Sequence, residues 1–151
     1  MTRLEPASLA IRQPVAEDAP QLAALSSELG YPATAAEIAG RLAGLLERAD
    51  HCLRVVQSPS GDAIGWIHAH EQCILESDPW CEIAGLVIDA SHRGRGAGRA
   101  LVAEVEAWAK SRRLKVVKVR SNVVREESHP FYQRLGFARI KTQHVYRKPL
   151  L

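Results

Sequence analysis

Apolar and polar residues recur along this chain in two periods, and the switches between them mark the elements. Residues 8–13 predict a short first strand. Leu22, Leu25 and Leu29 then fall at helical spacing within residues 15–29, and Gly30 stops the helix. Pro20 fits only a first helical turn, which places the start near Asp18. Thr34-Ala35-Ala36-Glu37 has the form of a capping box, and Ile38, Leu42, Leu45 and Leu46 follow as an apolar stripe to about Arg48. Strands are predicted at residues 52–57 and 63–71, separated by the turn-forming Ser58-Pro59-Ser60-Gly61-Asp62. Residues 80–88 make a third, strongly apolar strand. A glycine-rich segment at 92–99 opens a long helix with Leu101, Val102, Val105, Trp108 and Ala109 on its apolar face. Val116, Val117 and Val119 mark a strand at 115–120, and Ser128 caps a short helix ending at Gly136. Two closing strands are predicted at 137–140 and 144–147. The order is β-α-α-β-β-β-α-β-α-β-β, a mixed α/β fold whose sheet of six or seven strands is flanked by helices. Its first half is mostly antiparallel, and a β-α-β crossover lies in the middle.

The length of 151 residues suits one domain, 1–151, with a full core. Composition is 46% hydrophobic and 25% charged, within the globular range, so neither disorder nor a fibrous repeat is indicated. A net charge of +3 does not by itself call for nucleic acid. The first ten residues carry no signal-peptide pattern, and no apolar run approaches the ~18 residues of a membrane span. A cytoplasmic protein without a membrane partner is expected. Cys52, Cys73 and Cys81 fit neither a disulfide framework nor a metal site, and are expected as buried free thiols. No His/Cys/Asp cluster calls for a metal.

The chemistry is concentrated where the strand Ile83-Ala84-Gly85-Leu86-Val87-Ile88-Asp89 runs into Arg93-Gly94-Arg95-Gly96-Ala97-Gly98-Arg99. Glycines let a backbone turn sharply and approach a ligand closely. A helix start offers unpaired N–H groups and the positive end of its dipole. Together with three arginines this makes an anion site suited to a pyrophosphate. The loop lacks the Gly-Lys-Ser/Thr of a Walker A loop. It also lacks the spacing and downstream acid of a dinucleotide fingerprint.

Arg93-x-x-Gly96-x-Gly98 resembles the R/Q-x-x-G-x-G/A signature of the GNAT superfamily of acetyl-CoA-dependent N-acetyltransferases. Leu-Val-Ile-Asp precedes it, as in that family's fourth strand, and an amphipathic helix follows. His129-Pro130-Phe131-Tyr132-Gln133-Arg134-Leu135-Gly136-Phe137 is similar to the family's F-Y-x-x-x-G-F segment. The resemblance covers essentially the whole chain and implies a GNAT-like fold with acetyl-CoA as cosubstrate. It implies that the amides of Arg93, Gly94, Arg95, Gly96, Ala97, Gly98 and Arg99 hold the pyrophosphate. It further implies that Leu86, Val87 and Ile88 pair their backbone with the pantetheine arm. Asn122 matches an asparagine that binds the cofactor, although the segment from it to Tyr132 is longer than usual. Tyr132 matches a general acid, since a phenol can donate to a departing thiolate.

The amine must lose a proton before it attacks. Lys118 stands near the place where some members carry a glutamate base. Glu82, in the apolar run Trp80-Cys81-Glu82-Ile83-Ala84, is the best substitute. His68, His70 and His129 are weaker candidates. The implied reaction is direct transfer in a ternary complex, by alignment of amine and thioester. Amides near Val87 would polarise the carbonyl.

Two rivals share these residues. A sensor module would bind acyl-CoA without turnover, and Tyr132 argues against it. Nucleic-acid binding by the Arg/Gly stretch and the basic residues 110–118 lacks aromatic stacking platforms nearby. In the family the acceptor is chosen by regions corresponding to residues 26–37 and 72–80. Glu28, Glu71, Glu76 and Asp78 make these acidic, which suits a small cationic amine as partner. Such enzymes are often homodimers, but no residue pattern here marks an interface.

Overall fold

The computed structural model describes residues 9–121 and 128–151. Two compact units are present, Met1–Val119 and Arg120–Leu151.

The first unit is a five-stranded sheet in the order β1-β2-β3-β4-β5. Its strands are β1 (Ala10–Arg12), β2 (His51–Gln57), β3 (Ala63–Ile74), β4 (Ser77–Ile88) and β5 (Val117–Val119). The pairs from β1 to β4 are antiparallel, and β4 pairs β5 in parallel. The parallel pair requires the crossover that the sequence predicts, made by α3 (Ala97–Ser111).

Helices α1 (Ala19–Leu29) and α2 (Ala35–Leu46) lie between β1 and β2 in sequence. Pro20 occupies the first turn of α1, and Gly30 closes the helix at φ 100°. The capping box forms as predicted. Glu37 N donates to Thr34 Oγ1 and Thr34 N donates to Glu37 Oε1, each at 3.1 Å. Leu22 and Leu42 bury against Val55 and Ala63 of the sheet, with Ile38, Leu46, Leu53 and Trp66 around them. By strand alternation the opposite face carries Cys52, Ile67 and Ala69. Helix α3 packs on the sheet with Leu101, Val102, Val105 and Ala109 buried. Each such side chain contributes about 1.5–3 kcal/mol relative to exposure.

Chain entry to α1 is held by an ion pair. Arg12 donates to both carboxylate oxygens of the buried Asp18, at 2.7 and 2.8 Å. That pairing, with a bond from Val15 N, holds the Asp18 carboxyl below its usual range despite burial.

Within Arg120–Leu151, α4 (Ser128–Arg134) ends with Phe137 N donating to Tyr132 O at 3.0 Å and Gly136 at φ 94°. The strands expected at 137–140 and 144–147 are not formed, so the described sheet has five strands rather than six or seven. Apolar residues alone do not make a strand: it needs a ladder partner and a face to bury. Ile140, Val145 and Tyr146 are 72%, 85% and 91% exposed. A second correction concerns Cys73, expected buried: it is exposed near the end of β3, whereas Cys52 and Cys81 are buried. Burial pushes the Cys81 thiol up to about 12 and raises Cys52 as well, so neither is a ready nucleophile.

Candidate active site

Strand β4 carries Glu82 and Leu86, Val87 and Ile88, and runs directly into the arginine–glycine loop. Its hydrogen bonds change sides along its length. Cys81 N donates to Val116 O at 2.9 Å, so Cys81 and, two residues on, Ile83 turn their main chain toward β5. Asp89 N donates to Ile64 O at 2.8 Å, so Val87 and Gly85 turn theirs toward β3. Both sets are odd-numbered, so the strand must flip between them. The flip is a bulge: Ile83 pairs Ala69 and Gly85 pairs His68, which leaves Ala84 extra.

Past the bulge, the main-chain groups of Leu86 and Ile88 face the side on which β5 lies. Pairing with β5 stops at Ile83–Val119. Among the described residues, Leu86 and Ile88 therefore have no ladder partner on that side. Arg93 Nε donates to Ile88 O at 3.1 Å. Near Val87 the amide of Val87 itself is directed toward β3, and those of Leu86 and Ile88 point outward.

The loop that follows starts as a tight turn, with His92 N donating to Asp89 O at 2.9 Å. Asp89 accepts from Ser91 Oγ and meets His92 Nδ1 at 2.8 Å, which holds its carboxyl below the usual range. Gly94 and Gly96 take φ of 77° and 84°, the left-handed region that glycine reaches without strain. A Cβ built at either would meet nothing within 4 Å, so the loop's outer side is open. Gly96 is the N-cap of α3 and has no side chain to cap it; no acidic residue lies in the first turn. The first helical bond is Ala100 N to Gly96 O at 3.0 Å. The N–H groups of Ala97, Gly98 and Arg99 precede it and lie outside the helical ladder. Arg93, Arg95 and Arg99 are exposed around them. This uncapped helix start, at the end of a strand with a released edge, fits an extended ligand bearing a pyrophosphate.

The α1–α2 face of β4 has its own side chains. A Cβ at Gly85 would lie 2.9 Å from the Trp66 ring and 3.9 Å from Leu29 Cδ2, so glycine admits the indole over the bulge. Trp66 Nε1 is buried without a hydrogen-bond partner. Leu29, at the end of α1, thus reaches the bulge. The acidic residues Glu76 and Asp78 do not, because they sit at the exposed tip of the β3–β4 hairpin. Asp78 lies six positions before Ala84, about 20 Å along the strand.

Glu82 stands opposite His70 on β3, with Oε2 3.9 Å from His70 Nε2. His51 on β2 stacks on both His68 and His70, with ring centroids 5.1 and 5.3 Å apart. His51 Nδ1 and His68 Nε2 share a hydrogen bond of 2.8 Å. Burial, then the neighbouring His51 and His70, pushes His68 down to about 4; burial also lowers His51. His68 and His70, two apart on a strand, are legible as one face in the sequence. His51 joins them only through the β2–β3 register, which no local pattern announces.

Tyr132 lies in the second unit, on α4, with Phe131 and Phe137 edge-on to its ring at 5.1 and 5.7 Å. His129 is on the same helix. Asn122 lies outside the described residues.

Residues 17–137 match the acetyltransferase (GNAT) family. The chain is 31% identical over 114 residues to aminoalkylphosphonate N-acetyltransferase of Salmonella typhimurium, covering 75% of this chain and 71% of the relative. It superposes on an acetyltransferase of Trypanosoma brucei with a TM-score of 0.77 at 25% identity, over 93% of this chain and 100% of the other. It also superposes on an aminoglycoside N-acetyltransferase solved with coenzyme A. There the TM-score is 0.82 at 21% identity, over 93% of this chain and 94% of the other. On the family match over residues 17–137 and the 31% identity to a curated acetyltransferase, the chain belongs to the GNAT family of acetyltransferases.

Proposed function

We propose that this chain transfers the acetyl group of acetyl-CoA to the primary amine of a small molecule, acting as a single domain, 1–151. The observation that carries this reading is the uncapped N-terminus of α3 at the end of the released edge of β4. Helix amides 97–99 and Arg93, Arg95 and Arg99 would hold the pyrophosphate. The outward groups of Leu86 and Ile88 would pair with the pantetheine arm. An outward amide past the bulge would stabilise the oxyanion.

In this reading Glu82 takes a proton from the acceptor's ammonium group. The freed nitrogen lone pair attacks the thioester carbonyl, the C–S bond breaks, and Tyr132 gives its proton to the departing thiolate. Asn122 would add a cofactor contact. Two relatives named for their acceptors, an aminoalkylphosphonate and an aminoglycoside, support a small polar amine.

An amine panel containing both classes, read by thiol release, tests the reaction. Tyr132→Phe should bind acetyl-CoA as the wild type does and lower kcat by about 100-fold. Undiminished kcat in that variant would remove the tyrosine from the proton path.

A further inference from the structure

Lysine and arginine occur three times in the five strands, at Arg12, Arg54 and Lys118. Arg12 pairs with Asp18 at 2.7 Å and Arg54 with Glu104 at 3.5 Å. Lys118 has no carboxylate within ion-pair distance among the described residues, although it is half-buried and stands opposite Glu82 on β4. Its Nζ lies 3.9 Å from the centre of the Trp80 ring instead. Trp80 is 5% exposed, and its Nε1 is buried without a hydrogen-bond partner. That unmet N–H is a cost which phenylalanine or leucine would avoid, so what the indole supplies here is its face. Tryptophan is the ring that attracts a cation best. The ring offsets the charge of Lys118 and leaves the ammonium's capacity for oxygen partners unused.

The place of this cation bears on the reaction. β4 and β5 pair from Cys81–Val117 to Ile83–Val119 and then part, so Lys118 stands one residue before the fork. Its register puts it with Glu82 and Trp80 on the α1–α2 face. The other face is covered by α3, and the cofactor would lie along the released edge. The acceptor's way to the thioester is then over the α1–α2 face, past Lys118. Ala84 lies two residues beyond Glu82, about 7 Å along the strand. An anion held at Lys118 would trail the reacting amine by a short chain.

We propose that Lys118, seated on Trp80, binds an anionic group of the acceptor. The substrate class is then a short zwitterion, a primary amine about two to four carbons from a carboxylate or phosphonate. The proposal rests on the transferase reading but not on which group takes the amine's proton. Lys118 touches the end of the acceptor that does not react, so it sets specificity and takes no part in the transfer itself. The same charge repels a polycationic acceptor.

The test compares kcat/KM for β-alanine, 2-aminoethylphosphonate, β-alaninamide and 1,3-diaminopropane. The amide keeps the chain and the amine of β-alanine and loses only the charge. In the wild type at least one anionic amine should exceed the amide by about 10-fold, and the one that does so identifies the anion. Lys118→Met should abolish that preference, mainly through KM, and Lys118→Arg should keep most of it. The acetyl-CoA-induced rise in Tm reports that each variant is folded and binds.

A wild type that acetylates the amide as well as both anionic amines overturns the proposal, even if no Lys118 variant folds. So does a diamine acetylated better than either anionic amine. A Lys118→Met protein that loses activity equally toward all the amines also overturns it, because that is what a merely structural role would give. A wild type that binds acetyl-CoA but acetylates no amine overturns the transferase reading and this proposal together. Turnover of neutral or cationic amines alone overturns this proposal and leaves the transferase reading standing.

Discussion

His68 shows what a single buried side chain does to this protein. Unfolded, an imidazole takes up its proton near pH 6.5. In the fold, burial and its two histidine neighbours push that uptake down to about 4. The unfolded chain therefore binds more protons between those values, and stability must fall as pH drops through that window. The contribution is fully present above pH 6.5. By pH 4.5 about 2 kcal/mol of it is lost. Denaturant unfolding at pH 7 and pH 4.5 should show this loss in the wild type and a smaller one in His68→Gln. An equal loss in both would show that the imidazole is not desolvated. The residues involved were only half legible beforehand. The spacing of His68 and His70 puts both on one face, but His51 reaches them through strand pairing alone.

Among the elements, the start of α3 was the most legible, because its chemistry is local. Glycines, arginines and an apolar helical stripe follow one another in sequence, and nothing distant is needed to make an anion site from them. Gly96→Ala tests that element. Its φ of 84° should cost about 1–2 kcal/mol in a residue with a Cβ. Acetyl-CoA should bind at least 10-fold more weakly, because the methyl group enters the space beside the helix amides. Gly61→Ala, at φ 92° in the β2–β3 turn, is the control. It should carry the same backbone cost without changing acetyl-CoA affinity. Equal effects from both would mean that the loop is a turn and nothing more. The bulge at Ala84 had no such local signature. It is a mismatch between the counts of β3 and β4, visible only once they pair, and it decides that the outward main-chain groups near Val87 are those of Leu86 and Ile88. The closing strands show the opposite error: Ile140, Val145 and Tyr146 are apolar enough for strands but bury no face.

At the scale of the whole molecule, the element order from β1 to β5 followed from periodicity, capping and turn chemistry. Their lateral order required the antiparallel hairpins and the α3 crossover. The family match runs from residue 17 to 137. The central claim is that this fold holds acetyl-CoA, and thermal unfolding with and without it is the most direct test. A ligand at about 100 times its Kd adds about 2.7 kcal/mol. In a domain of this size that should raise Tm by roughly 5–10 °C, and Gly96→Ala should show a smaller rise at the same concentration. An unchanged Tm at millimolar acetyl-CoA would contradict the account.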